Sequence, residues 1–195
     1  MDNLVPKAMF FTKGHGMHKH ALQSFEYALR DAQIAHLNLV RVSSIYAPGC
    51  KILSLREGLK YLQPGQVVFT VMAEVRTNEP NRLVSAGIGM ALPAQKDQYG
   101  YISEFHGYGM TEKKTADLVE DMAASMLAST LGIEFDPEEA YDTRRALYRM
   151  SGRIVRTRAV VQTVEGDKRG LWTSAVAAAV FIMDGVRPNN NANSQ

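Results

Sequence analysis

Asn38–Leu39–Val40–Arg41–Val42–Ser43–Ser44–Ile45 is the stretch on which the reading of this chain turns. Leu37 to Val42 is β-prone, two serines follow it directly, and Pro48–Gly49 then breaks the pattern. Taken by itself, Ser–Ser after a strand is a turn whose hydroxyls bond nearby backbone. Upstream, Ala21, Leu22, Phe25, Ala28, Leu29 and Ala32 recur at helical spacing with Glu26, Arg30 and Asp31 between them, which predicts an amphipathic helix of about four turns. Before that helix, Val5 to Thr12 reads as a strand that ends in a tight loop at Gly14–His15–Gly16.

Downstream, a short helix fits Ser54 to Tyr61, weakened by Gly58 and closed by Gln63–Pro64–Gly65. Three strand-like runs come next: Val67 to Val75 with Val67, Phe69, Val71, Ala73 and Val75 on one face, then Leu83 to Leu92, then Gly100 to Tyr108. Thr111 caps a further helix whose buried stripe reads as Ala116, Val119, Met122, Ala123, Met126 and Leu127, ending at Gly132. After a turn at Asp136–Pro137, Arg153 to Val164 and Leu171 to Met183 are two long strands. A hairpin through Gly166 to Gly170 is their simplest connection. About seven strands and two substantial helices make an α+β sandwich, with sheets packed face to face and helices outside. The small residues Ala175, Ala177, Ala178 and Ala179 suit close packing between sheets.

Of the 195 residues, 46% are hydrophobic, enough for one sizeable core, so residues 1–186 read as a single domain. The tail 187–195 has too few apolar groups to offset its ordering entropy and is expected to be flexible. A net charge of +2 leaves no large positive field for a phosphate backbone, so nucleic acid is not an expected partner. Neither is a membrane, since the longest strongly apolar stretch, Ser174 to Met183, falls well short of the roughly 20 residues that span a bilayer. Met1–Asp2–Asn3–Leu4 lacks the basic flank and apolar core of a signal peptide, and a cytoplasmic globular protein is the expectation. One cysteine, Cys50, excludes an internal disulfide and a Cys-rich zinc site.

Gly14–His15–Gly16 and Gly87–Ile88–Gly89 fail as dinucleotide fingerprints, because Lys19 and Leu92 occupy the third glycine position. His15, His18 and His20 have no supporting carboxylate or Cys spacing, so no metal is expected there. The basic run Arg144, Arg145, Arg149, Arg153, Arg156 and Arg158 reads as a solvated or subunit-facing strip.

One wider pattern changes the meaning of the serine pair. Phe25–Glu26 and Ala28–Leu29 on the first helix, then Asn38 to Ile45, resemble in order and spacing the pyruvoyl-dependent arginine decarboxylases, whose proenzymes carry a similar Asn-Leu-(Val/Ile)-Arg-(Val/Ile)-Ser-Ser-Ile run. Gly100–Tyr101–Ile102–Ser103–Glu104–Phe105–His106–Gly107 resembles the family stretch that holds its proton donor. The resemblance covers most of residues 5 to 132 and weakens beyond them.

What it implies is a four-layer αββα sandwich that cleaves itself between Ser43 and Ser44. The Ser44 hydroxyl attacks the Ser43 carbonyl in near-attack geometry, with the oxyanion held by backbone donors. Elimination from the resulting ester separates a β chain, residues 1–43, from an α chain, residues 44–195, which begins with a covalent pyruvoyl group made from Ser44. That ketone takes the place of pyridoxal phosphate (PLP) or a metal: it condenses with the substrate amine and accepts the electrons left as CO2 departs. By the same resemblance Glu104 returns a proton to the α-carbon, a role that asks for a secluded site. Asn38 is implied as an active-site amide, and Glu26 as the carboxylate that selects the guanidinium of L-arginine. Agmatine is then the product, serving polyamine supply or acid resistance, and a homotrimer with sites between subunits is the implied assembly. The alternatives are the same chemistry on histidine or lysine, an uncleaved binding homologue, and a basic module that takes polyanions through the Arg144 to Arg158 strip.

Overall fold

The computed structural model describes residues 4–134 and 151–183, with 136, 139, 143, 145 and 146 between them, and only the backbone of 155 and 156. Nine strands and three helices of five or more residues follow one another among the described residues: β1 Pro6–His18, α1 Ala21–Asp31, β2 Asn38–Arg41, β3 Ile45–Tyr46, β4 Lys51–Leu53, α2 Leu55–Leu59, β5 Val67–Thr77, β6 Leu83–Pro93, β7 Gly100–Tyr108, α3 Glu112–Thr130, β8 Ile154–Glu165 and β9 Trp172–Met183. They form a five-stranded sheet in the order β2-β5-β9-β1-β4 and a four-stranded sheet in the order β3-β7-β6-β8.

Burial on both faces of each sheet fixes the layers. Met9, Phe11, Val71, Val75, Ile88 and Met90 fill the space between the sheets. Phe10, Met72, Val180 and neighbouring residues of the five-stranded sheet meet Ala28, Ala32 and Ile34 of the α1 region on its outer side. On the far side Ala91 meets Ala123, Leu127 and Ala128 of α3. The result is a helix–sheet–sheet–helix sandwich. Strand β9 shows why its alanines matter: Ala175, Ala177 and Ala179 face the inner core while Val176, Ala178 and Val180 face the helices, and all six are fully buried.

Several local expectations change. Gly14–His15–Gly16 is no loop, since β1 runs through it and pairs with β9 as far as His18–Trp172. The glycines serve the helix above: a Cβ on Gly14 or Gly16 would stand against the backbone oxygen of Ala28 or Ser24, so α1 lies directly on the strand. Helix α1 itself spans 11 residues, nearer three turns than four. Helix α3 is rotated from the expected stripe, burying Thr115, Val119, Ala123, Ala124, Leu127 and Ala128 and leaving Met122 exposed. The cause is Gly89, where any Cβ would meet the backbone of Val119, so the small-residue face of the helix lies against the sheet.

Nor do β8 and β9 form a hairpin. Strand β8 pairs with β6 and β9 with β1 and β5, so the connection passes between sheets. Gly166 anchors that passage, donating to Arg82 O and accepting from Asn81 N–H in the β5–β6 connection. Strands β3 and β4, which raise the count above seven, lie in the short segment after the serines. Helix α2 begins at a full capping box, with Ser54 and Glu57 each satisfying the other's backbone N–H.

Arg153 donates to Leu131 O at the end of α3, and Arg158 lies 5.0 Å over the Phe11 ring. Arg144, Arg149, Pro137 and the tail 187–195 lie outside the described residues, as does the Arg156 side chain. No helix among the described residues is long and apolar enough to cross a membrane.

Candidate active site

The serine pair sits where the chain leaves one sheet and joins the other. Strand β2 pairs in parallel with β5 up to Arg41–Thr70, and the Val42 N–H donates to Thr70 O at 3.0 Å. Two residues later the Ser44 carbonyl accepts from the Ile102 N–H at 2.8 Å, and Ile45 then pairs with Tyr101 of β7. The Ser43–Ser44 peptide bond is therefore strung between two anchored ends, one on each sheet. Ser43 is exposed and Ser44 is half-buried. Beside them opens an apolar cavity of about 550 Å³, whose walls include Val42, Ser43, Ile45, Phe69, Tyr99 and Phe181.

Glu104 is on the same strand that receives Ser44, two residues beyond Ile102 and so roughly 7 Å further along it. It is exposed, because β3 pairs only with Gly100 and Tyr101 and leaves that edge of β7 without a strand partner among the described residues. Asn38 stands at the opposite end of β2, about 16 Å from Ser43 along the strand. Its side-chain N–H donates to Gly65 O at 2.7 Å.

Glu26 lies on α1, the layer outside the five-stranded sheet, and its side chain is 39% exposed. Its Oε1 accepts the Nε–H of Arg30 at 2.6 Å, an i,i+4 pair that raises the Arg30 guanidinium above its ordinary range. That pair demonstrates a guanidinium N–H held by this carboxylate. Ser43, Ser44 and Glu104 thus lie along one edge of the sandwich, whereas Asn38 stands at the far end of β2 and Glu26 on the helix layer outside the five-stranded sheet.

Cys50 is buried, and burial pushes its thiol up to about 11 although Tyr46 acts in the other direction. A protonated, enclosed thiol is no nucleophile. The histidines are spent locally: His15 pairs with Asp31 at 3.2 Å, while His18 accepts the His20 N–H and sets its ring edge-on to Tyr27.

An ion cluster beside β2 went unread in the sequence. Glu74 of β5 accepts from Arg41 and, at 2.8 Å, from Arg76. The signal was available as Glu74 and Arg76, two charges two residues apart on one face of an otherwise largely apolar strand.

A family model described as pyruvoyl-dependent arginine decarboxylase matches residues 8–185. The chain is 56% identical over 178 residues to a "Probable pyruvoyl-dependent arginine decarboxylase" of Chloroherpeton thalassium, covering 91% of this chain and 98% of that one. Two relatives named "Pyruvoyl-dependent arginine decarboxylase" are as well covered. That of Methanococcoides burtonii is 50% identical over 92% of this chain and 100% of its own length. The one from Nitrosopumilus maritimus is 49% identical over 94% of this chain and 100% of its own.

Proposed function

We infer, because this chain belongs to the pyruvoyl-dependent arginine decarboxylase family, that it converts L-arginine to agmatine and CO2 with a pyruvoyl group made from its own backbone. The observation that carries the site assignment is the Ser43–Ser44 peptide bond held at both ends between two sheets. A peptide so tethered keeps the Ser44 hydroxyl and the Ser43 carbonyl in a narrow range of geometry, the condition under which an intramolecular attack becomes fast.

In the processing step Ser44 Oγ bonds to the Ser43 carbonyl carbon, the peptide C–N bond breaks, and the freed nitrogen takes the proton. Elimination then takes the Ser44 α-proton, forms the Cα=Cβ double bond as the Cβ–Oγ bond breaks, and leaves Ser43 with a carboxylate. Hydrolysis of the residual enamine releases ammonia and leaves a ketone at residue 44. The residues fit such a group, since a half-buried Ser44 at a sheet edge, with an apolar cavity beside it, can present a ketone to a small substrate. Once formed, the pyruvoyl group supplies the electron sink for loss of CO2.

The remaining work falls to side chains. Glu104, on the strand that anchors Ser44, is the donor that returns a proton to the substrate α-carbon. Glu26 takes the guanidinium, as it takes that of Arg30, and Asn38 supplies an amide. Asn38 stands about 16 Å along β2 from Ser43, and in the homotrimer we propose, it and Glu26 serve the site of a neighbouring protomer. Support for self-association comes from Val40, Val42, Ile45 and Tyr99, apolar side chains between 37% and 43% exposed on and beside the strand ends that flank the scissile bond. A subunit covering that edge would also exclude water from Glu104. With its lone cysteine a free, buried thiol, we place the enzyme in the cytoplasm.

The denatured mass of freshly made protein tests this directly. Chains of 43 and 152 residues are expected from the 195, the longer one reacting with a carbonyl reagent and the pair turning arginine into agmatine. A chain that remains intact on prolonged incubation would overturn the reading.

A further inference from the structure

Three elements that carry candidate site residues are linked through the Glu74–Arg76 pair of β5. Glu74 lies on β5 with Met72, on the face turned toward α1, and its side chain is 24% exposed. It receives Arg41, which is on β2 two residues before Ser43, and Arg76, two residues along its own strand. The Arg76 guanidinium in turn lies 4.4 Å over the ring of Phe25, the neighbour of Glu26 on α1. The Arg76 carbonyl accepts the hydroxyl of Tyr108, at the end of the strand that carries Glu104, at 3.2 Å.

Stability alone does not account for this cluster. With Glu74 and Arg76 partly withdrawn from water and Arg41 about half exposed, these ion pairs add little to the hold on the sheet. The Nε of Arg76 is buried with no hydrogen-bond partner, a further cost. What an Arg–carboxylate contact supplies and an apolar contact does not is direction, because the planar fork fixes both partners.

We propose that Glu74 is a positioning residue for the pyruvoyl chemistry, acting through Arg41 on the Ser43–Ser44 bond and through Arg76 and Phe25 on Glu26. The inference rests on the functional reading above. Strand β2 is four residues long and sits at the sheet edge, where strand ends fray readily. With Arg41 held on Glu74, the Val42–Thr70 bond stays closed and the Ser43 carbonyl stays before the Ser44 hydroxyl. Displacement by about 1 Å at such a step costs on the order of a hundredfold in rate.

The test follows self-cleavage of the full-length chain by denatured mass after a pulse of synthesis, and then measures kcat and KM for arginine per carbonyl-reactive group. Glu74→Gln is expected to slow cleavage at least tenfold and to raise KM at least fivefold, with kcat per reactive group within twofold of wild type. Glu74→Asp should restore most of both. Asp167→Asn, which removes the Arg169 ion pair at the β8–β9 connection, serves as the control and should cleave and turn over like wild type. Arg41→Lys keeps the charge but loses the fork; it reads the same step if Glu74→Gln fails to fold, and should slow cleavage at least threefold. Wild-type cleavage and KM in Glu74→Gln, wild-type cleavage in Arg41→Lys, or equal slowing in Asp167→Asn would each overturn the proposal. If wild-type protein itself gives neither fragments nor agmatine, the functional reading falls and takes this inference with it.

Discussion

Glu26 is occupied before any substrate arrives, because the Arg30 guanidinium shares its carboxylate. In the role proposed for Glu26, substrate arginine would use the second oxygen or displace Arg30, and either way the charge of Glu26 would set the preference for a cationic end. A hydrogen bond to a charged group is worth about 1.5–3 kcal/mol, so Glu26→Gln should raise KM for arginine by roughly tenfold to a hundredfold while kcat changes little. Steady-state kinetics on arginine decide this, and an unchanged KM would remove Glu26 from the site. Cys50 supports the opposite kind of prediction. With its thiol pushed up to about 11 and its side chain enclosed, it should resist iodoacetamide in native protein at pH 8 and react readily in denaturant. Rapid labelling of native protein would show that the segment after the serines opens.

At the scale of elements, the contact between α1 and β1 is set by two glycines. A methyl group on Gly16 would run into the Ser24 oxygen, the Ala28 nitrogen and the Tyr27 side chain, so helix and strand must separate. Gly16→Ala should therefore cost about 3 kcal/mol, as overpacking of a close contact does, and lower the thermal midpoint by roughly 6–12 °C for a domain of this size. A midpoint within 2 °C of wild type, read by circular dichroism, would mean that the helix can shift without penalty. The same glycines show what the sequence could and could not disclose. Helical periodicity located α1 and α3, while β5, β6 and β7 were legible as short runs of apolar and β-prone residues bounded by turn residues, since β6 is buried on both faces and β5 nearly so. The same reading took Gly14–His15–Gly16 for a loop and misplaced the α3 stripe, because a glycine that admits a helix backbone looks locally like a glycine that makes a turn. The partners of β8 and β9 were equally hidden, since two adjacent strands with a five-residue connection fit a hairpin, whereas β8 pairs with β6 and β9 with β1 and β5, and Gly166 is tied to Asn81 and Arg82 on the way between the sheets. Among the site residues, Ser43 and Ser44 had no chemical meaning apart from the wider resemblance, while Glu74 and Arg76 were visible as charges in an apolar strand but had no assignable partner.

Over the whole molecule, cleavage after Ser43 should cut the chain without releasing either piece. Residues 1–43 contain β1, which lies inside the five-stranded sheet between β9 and β4, so the short chain is held by a full-length ladder and by the core on both faces. The two chains should separate in denaturant and stay together in native mass measurements. The more demanding question is which protomer supplies which carboxylate. Glu104 belongs to the strand that anchors Ser44, and Glu26 to the helix layer beyond the other sheet, and in the assembly proposed above a site that uses both would be built from two copies. Glu26→Gln and Glu104→Gln chains, each impaired alone, should then complement each other when co-expressed. In a closed homotrimer with random mixing, about one site in four pairs an intact Glu26 from one subunit with an intact Glu104 from the next. Activity at low arginine should accordingly return to roughly a quarter of wild type, with the mixed assemblies showing the mass of three cleaved protomers. No recovery from verified mixed trimers would place both carboxylates within one protomer, where Arg76 already links Phe25 of α1 to Tyr108 of β7.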